Sequence, residues 1–178
     1  FVLRGVIGAG QAVEAIGFSR EAPQAFVVGR VESGRHRQKR ARAGDTVDLV
    51  FENATIGGFD RGTVLAAPNT IASDTRFEAL AYLRATGEGG IDGPVAGTWE
   101  PKIALWGVEM ESRVRLREGA AATETIKPGA PVRIEVELAV PVAVERRLRF
   151  GIKEIGRTVG AGTVTRVTGE SAAEAPEL

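Results

Sequence analysis

The sequence predicts an all-β protein built from barrels or sandwiches, and three observations carry that expectation. Apolar residues recur with period two in several short runs. Glycine and proline, 23 and 8 of the 178 residues, punctuate those runs at short intervals. No stretch sustains a 3.6-residue apolar period beyond two turns, so long amphipathic helices are not expected.

Taken in order, Val13, Ala15 and the Ile16-Gly17-Phe18 stretch predict a first strand, Phe26-Val27-Val28 a second and Val47 to Phe51 a third. Thr63 to Ala66 predicts a short fourth, closed by Pro68-Asn69. Phe77 to Leu83 and Ile103 to Trp106 supply two more. The clearest case is Val132 to Val140: Val132, Ile134, Val136, Leu138 and Val140 share one face, while Arg133, Glu135 and Glu137 share the other. Leu148, Phe150 and Ile152 alternate with charge, and Thr163 to Val167 closes the ordered part. Turn signals separate the runs at Ala43-Gly44-Asp45, Gly57-Gly58, Gly87 to Gly90, Lys127-Pro128-Gly129 and Gly160-Ala161-Gly162. The Gly156 to Gly162 segment reads as a tight connection between two strands. A boundary is expected at Ala72-Ser73-Asp74, giving units at 1–72 and 73–170, and the Ala/Glu/Pro-rich end, 171–178, reads as a disordered tail.

Composition excludes several function classes. There is no cysteine and one histidine, which rules out disulfides, a thiolate nucleophile and Cys- or His-rich metal sites. Lys plus Arg and Asp plus Glu are both 23, so no global field marks a polyanion binder and any nucleic-acid site must be a local patch. The chain contains no Gly-x-x-x-x-Gly-Lys-Ser/Thr phosphate loop, no strand–Gly-x-Gly-x-x-Gly–helix signature and no Gly-x-Ser-x-Gly elbow. No apolar run approaches the ~20 residues of a membrane-spanning helix. The chain has neither a signal-peptide pattern nor a starting Met, and it reads as a soluble intracellular piece of something longer.

One local feature stands out. Arg35-His36-Arg37-Gln38-Lys39-Arg40-Ala41-Arg42 concentrates positive charge that repels itself unless an anion is near. It reads either as a solvated face neutralised by Asp45, Asp48 and Glu52, or as a phosphate-contact surface. In a strand Arg113, Arg115 and Arg117 project from one face; with Glu109, Glu111 and Glu118 close enough to pair with them, it reads as a wet face before a second phosphate stripe. Trp99, Trp106 and Tyr82 read as core or domain-contact residues before base-stacking ones.

Leu148 to Gly162, LRFGIKEIGRTVGAG, closely resembles the closing motif of elongation factor Tu, LRFAIREGGRTVGAG. Asp60 to Ala66 resembles its ERGQVLA segment, Gly44-Asp45-Thr46-Val47 its GDNV, and Thr75 to Ala79 its TKFEA. Arg4-Gly5 through Gly17 is similar to RGKVKVGDEVEIVG. The order and spacing fit the second and third domains of that translational GTPase. The resemblance therefore implies an all-β chain of two consecutive β-barrels, the first truncated at its N-terminus and so carrying an open edge.

It also implies aminoacyl-tRNA as ligand and delivery to the ribosome in the cytoplasm. An N-terminal GTPase domain outside this chain would hold GTP and magnesium, a nucleotide-exchange factor would be a further partner, and the chain itself would have no cofactor, no metal, no catalytic residue and no membrane contact. Residue by residue, Glu32 falls where the family packs the terminal adenosine, and Gly34 and Thr46 fall on the aminoacyl pocket. Arg61 matches the arginine at the tRNA 5′ end, and Glu154 a glutamate at the T-stem. Lys102 replaces a family glutamine, and Arg35, within the basic run, is a further tRNA-contact candidate. The sequence departs from the family at Gly34, Thr46, Glu111, Val140 and Ile155, and at Glu100, which replaces an arginine. A carboxylate at 111 is expected to repel phosphates. The alternative is a diverged stand-alone protein-interaction module that no longer binds aminoacyl-tRNA.

Overall fold

A computed structural model describes residues 1–18, 23–52, 59–95, 98–116 and 125–169. The described chain is all-β apart from one 3₁₀ turn at Thr86–Glu88. The strands are β1 (Val6–Gly8), β2 (Ala12–Ile16), β3 (Gln24–Ser33), β4 (His36–Gln38), β5 (Arg40–Arg42), β6 (Asp48–Phe51) and β7 (Val64–Ala66). They continue with β8 (Ala72–Leu83), β9 (Lys102–Leu105), β10 (Val108–Leu116), β11 (Pro131–Val144), β12 (Arg149–Glu154) and β13 (Arg157–Val167).

The last six strands close into an antiparallel barrel in the order β10-β11-β8-β13-β12-β9. The period-two pattern dictates this. Phe77, Ala79, Ala81 and Leu83 of β8 point inward to meet Ile134, Val136 and Leu138 of β11, with Phe150 and Ile152 of β12. Phe77 and Phe150 meet edge to face with ring centroids 5.3 Å apart. Closure leaves the barrel no free edge.

The N-terminal strands form open sheets among the described residues. β4, β3, β2 and β7 form a sheet, with β6 also on β3, and β1 pairs with β5 as a separate ribbon. Their core is Val13, Ala15, Phe26, Val28, Val31 and Ala41. Phe26, Phe51 and Phe59 form a ring cluster beside it, with centroids 4.9 to 5.2 Å apart. β4, β5 and β7 are three residues each, and β4 and β5 carry charge, which blunts them as templates for pairing.

Several details differ from the expectation. Gly160-Ala161-Gly162 is not a turn but lies inside β13. Glycine is there for close approach: a Cβ at Gly160 would sit 2.7 Å from the Tyr82 carbonyl oxygen, and one at Gly162 would enter the Phe150 ring. The turn is Ile155-Gly156 alone, both at positive φ (48° and 73°), a type I′ hairpin. Trp106, placed at a strand end by its hydrophobicity, sits with Gly107 in another I′ turn, at φ 53° and 76°. Tyr82 is 37% exposed on the outer barrel wall and donates to Glu88 at 2.9 Å. β1 escaped the pattern because Val6-Ile7-Gly8 is too short to show alternation. The Gly57-Gly58 turn, Arg117, Glu118 and the 171–178 tail lie outside the described residues.

A small apolar seam joins the sheet to the barrel. Ile16, Val64, Ala66 and Ala143 are buried together, with Ile71 and Trp106 packed against them. The Trp106 indole N–H donates to the Ala143 carbonyl at 2.8 Å, so the ring is both wedge and tether.

Candidate functional site

The sequence-predicted residues fall into three groups. The first lies at the far end of β3. Ser33 pairs with His36 across the two-residue turn Gly34-Arg35, whose φ values of 56° and 71° make it a third I′ hairpin. Glu32 lies opposite Asp48 of β6, so the segment leading into β6 brings Thr46 towards Gly34. Glu32, Gly34, Arg35 and Thr46 thus gather at one tip. Glu32 is already engaged: its carboxylate takes the Arg30 guanidinium at 2.6 Å.

The second is Arg61, at the other end of the sheet. β7 pairs with β2 at Ile16↔Val64, and β2 pairs with the beginning of β3 at Ala15↔Gln24. From Gln24 to Glu32 is eight residues of strand, about 26 Å if straight. Arg61 and Glu32 therefore flank β3 from opposite ends. Arg61 is exposed and lies against the Trp106-Gly107 turn: a Cβ at Gly107 would be 3.7 Å from its Nε. Gly62, at φ 95°, fits against Val108 and Phe18, leaving no room for a side chain. Gly107 was not singled out in the sequence, although a Trp-Gly pair between two apolar runs is a hairpin signal.

The third group is on the barrel wall. Lys102 of β9 lies opposite Glu111 of β10 and pairs with it at 3.0 Å. That hydrogen bond and the added charge hold the Lys102 ammonium above its ordinary pKa. Lys153, beside Lys102 in register, pairs with Glu109, whose carboxyl is held below its ordinary range by that hydrogen bond. Arg113 pairs with Glu100 at 3.4 Å. So Glu109 and Glu111 do not serve Arg113 and Arg115, because the register places Lys102 directly across from Glu111. The Glu111 charge and the Glu100 charge are each matched by a cation that the chain supplies. Glu154 accepts from the Trp99 indole N–H at 3.2 Å, and Ile155 beside it is 90% exposed at the hairpin tip.

The basic run occupies β4 and β5, and its side chains are exposed except for Ala41. Neutralisation by Asp45, Asp48 and Glu52 is not what the structure shows. Among the described residues no salt bridge reaches Arg35, Arg37, Lys39, Arg40 or Arg42. Asp45 spends one carboxylate oxygen on the Arg42 backbone N–H at 2.7 Å, closing the turn after β5. Among the described residues no group of three or more His, Asp or Glu side chains could hold a metal ion.

A family comparison agrees with the barrel. The model of the family described as elongation factor Tu C-terminal domain matches residues 70–168. That span takes in all six strands of the closed barrel, from Ala72 to Val167. The barrel is of the translation-factor type, and the chain belongs to the elongation factor Tu C-terminal domain family.

Proposed function

We propose that this chain is an aminoacyl-tRNA binding and positioning module of an elongation factor Tu-like protein, acting in GTP-dependent delivery to the ribosome. Binding is noncovalent and the chain supplies no catalytic group. GTP and magnesium belong to a GTPase domain outside it, and a nucleotide-exchange factor and the cytoplasm follow from the same reading. The observation that carries it is Arg61: within the DRGTVLA segment it stands exposed at the seam, and no described carboxylate pairs with it. A free guanidinium there suits a phosphate. Filter binding of charged and uncharged tRNA, with the chain joined to a GTP-loaded GTPase domain, tests the reading. Charged tRNA should bind more tightly, and Arg61→Ala should weaken both forms by about tenfold, the loss expected for one or two phosphate contacts.

A second reading, a protein-interaction module that has left tRNA behind, draws on a specific observation. Glu32, Lys102 and Glu154 are each committed to a partner within the chain. It predicts no effect of charging and no effect of Arg61→Ala.

A further inference from the structure

Arg146 and Arg147 stand in the turn between β11 and β12, and Arg149 opens β12; all three are exposed. In sequence they lie more than a hundred residues from the basic run. The fold brings the two together through one ion pair, between Arg4 and Glu145. Arg4 leads into β1, whose Val6 and Gly8 lie opposite Arg42 and Arg40 of β5. Ile7 and Ala41 between them face the core, so Arg40 and Arg42 share the outer face of this ribbon. The Ala43 N–H donates to the Gly5 carbonyl at 3.1 Å, fixing the β5 end of the ribbon beside Arg4. Glu145, reached by Arg4, is the residue immediately before Arg146.

We propose that Arg40 and Arg42 with Arg4, Arg146, Arg147 and Arg149 form one composite phosphate-binding surface that takes an RNA backbone. The inference goes beyond aminoacyl-tRNA binding and uses none of the residues assigned there. Three features support it. Two carboxylates lie in this group: Glu145 is taken by Arg4, and Asp45 spends one oxygen on the Arg42 backbone N–H; none of the other five arginine side chains forms an ion pair with a described carboxylate. The chain has no net charge, so this concentration is local and not a reflection of overall composition. All six cations are arginine. Its planar fork binds phosphate oxygens bidentately and stacks on unpaired bases, which favours RNA over an acidic peptide.

The test uses the whole 178-residue chain and labelled oligouridine, which carries no acyl group. Fluorescence anisotropy is followed across a salt series, with polyglutamate as the rival ligand. Arg40→Gln/Arg42→Gln and Arg146→Gln/Arg147→Gln should each weaken oligouridine binding by about tenfold and lower the salt slope by about 1.4, two contacts at ~0.7 each. Arg133→Gln, at an exposed arginine of β11 outside this surface, should leave oligouridine binding unchanged; loss of the preference for charged tRNA with the oligouridine effects intact would sink the tRNA reading alone. Glutamine keeps the length and polarity of the replaced side chains, and circular dichroism checks that each variant folds. The proposal is overturned if neither pair matters, if only one of the two pairs matters, or if polyglutamate binds as tightly as oligouridine.

Discussion

The Trp99 indole N–H donates to a Glu154 carboxylate oxygen at 3.2 Å, tying the segment ahead of β9 to the last residue of β12. Trp99 also closes onto the barrel wall by exchanging two backbone hydrogen bonds with Val114, at 3.0 and 2.7 Å. Glu154 therefore has a structural duty whatever it contacts outside. Glu154→Ala leaves a buried indole N–H without its acceptor and should cost about 1–2 kcal/mol. Thermal denaturation should show a fall of about 2–4 °C per kcal/mol, with Glu154→Gln close to wild type because the amide oxygen still accepts. An unchanged melting temperature in Glu154→Ala would remove this duty.

Trp106 separates packing from tethering at the seam. Trp106→Phe keeps most of the ring against Ile16, Val64 and Ala66 but loses the bond to the Ala143 carbonyl, and should cost about 1 kcal/mol. Trp106→Ala loses both and should cost about 3 kcal/mol or more. Chemical denaturation measures both. If the two substitutions cost the same, the ring contributes nothing beyond its hydrogen bond.

Ile155 holds a β-branched side chain at φ 48° and is 90% exposed, a conformation that only a tight turn imposes. Ile155→Asn would create the Asn-Gly pair that I′ turns prefer. It should stabilise the chain by about 1 kcal/mol, since the left-handed region costs an ordinary residue roughly that much. A fall in melting temperature would mean that the isoleucine makes contacts that offset its backbone strain.

Charge ladders on the barrel wall set the pH response. Glu137 is held below the ordinary carboxylate pKa chiefly by its hydrogen bond from Arg76, and Glu109 by that from Lys153. A depressed folded-state pKa contributes stability that is present above the unfolded value and is lost as pH falls through the folded one. Lys102, raised by Glu111, contributes stability that is present below the ordinary lysine pKa and lost as pH rises through the elevated one. Stability should hold across neutral pH and fall on both flanks. In Glu109→Gln and Glu137→Gln the acid limb should be shallower, and added salt should shrink the difference because these pairs are exposed. Acid limbs that superimpose with wild type would mean that the pairs contribute nothing measurable.

Much of the barrel was legible because its strands obey one rule locally. Val132 to Leu138 and Phe77 to Leu83 alternate without interruption, and each became a long strand with its apolar side inward. The rule misled where glycine serves a neighbour distant in sequence. Gly160 and Gly162 look like a turn along the chain, yet they are small because Tyr82 and Phe150 press on them across the barrel. The candidate site was less legible. Arg61 and the basic run were visible as residue types, but the engagement of Glu111 by Lys102 and of Glu154 by Trp99 depends on strand register, which no local pattern specifies.

By itself the sequence determined that this protein is all-β, that apolar residues recur with period two along several runs of the stretch that becomes the barrel, and that positive charge gathers at residues 35–42, since each follows from neighbours along the chain. Only the tertiary structure decided which charges are cancelled and which are left to face solvent. Ion pairing depends on contacts a few ångströms long between strands that are far apart in sequence. Arg4 and Glu145 are the plainest case: nothing along the chain connects them, yet their ion pair joins the segment ahead of β1 to the turn after β11.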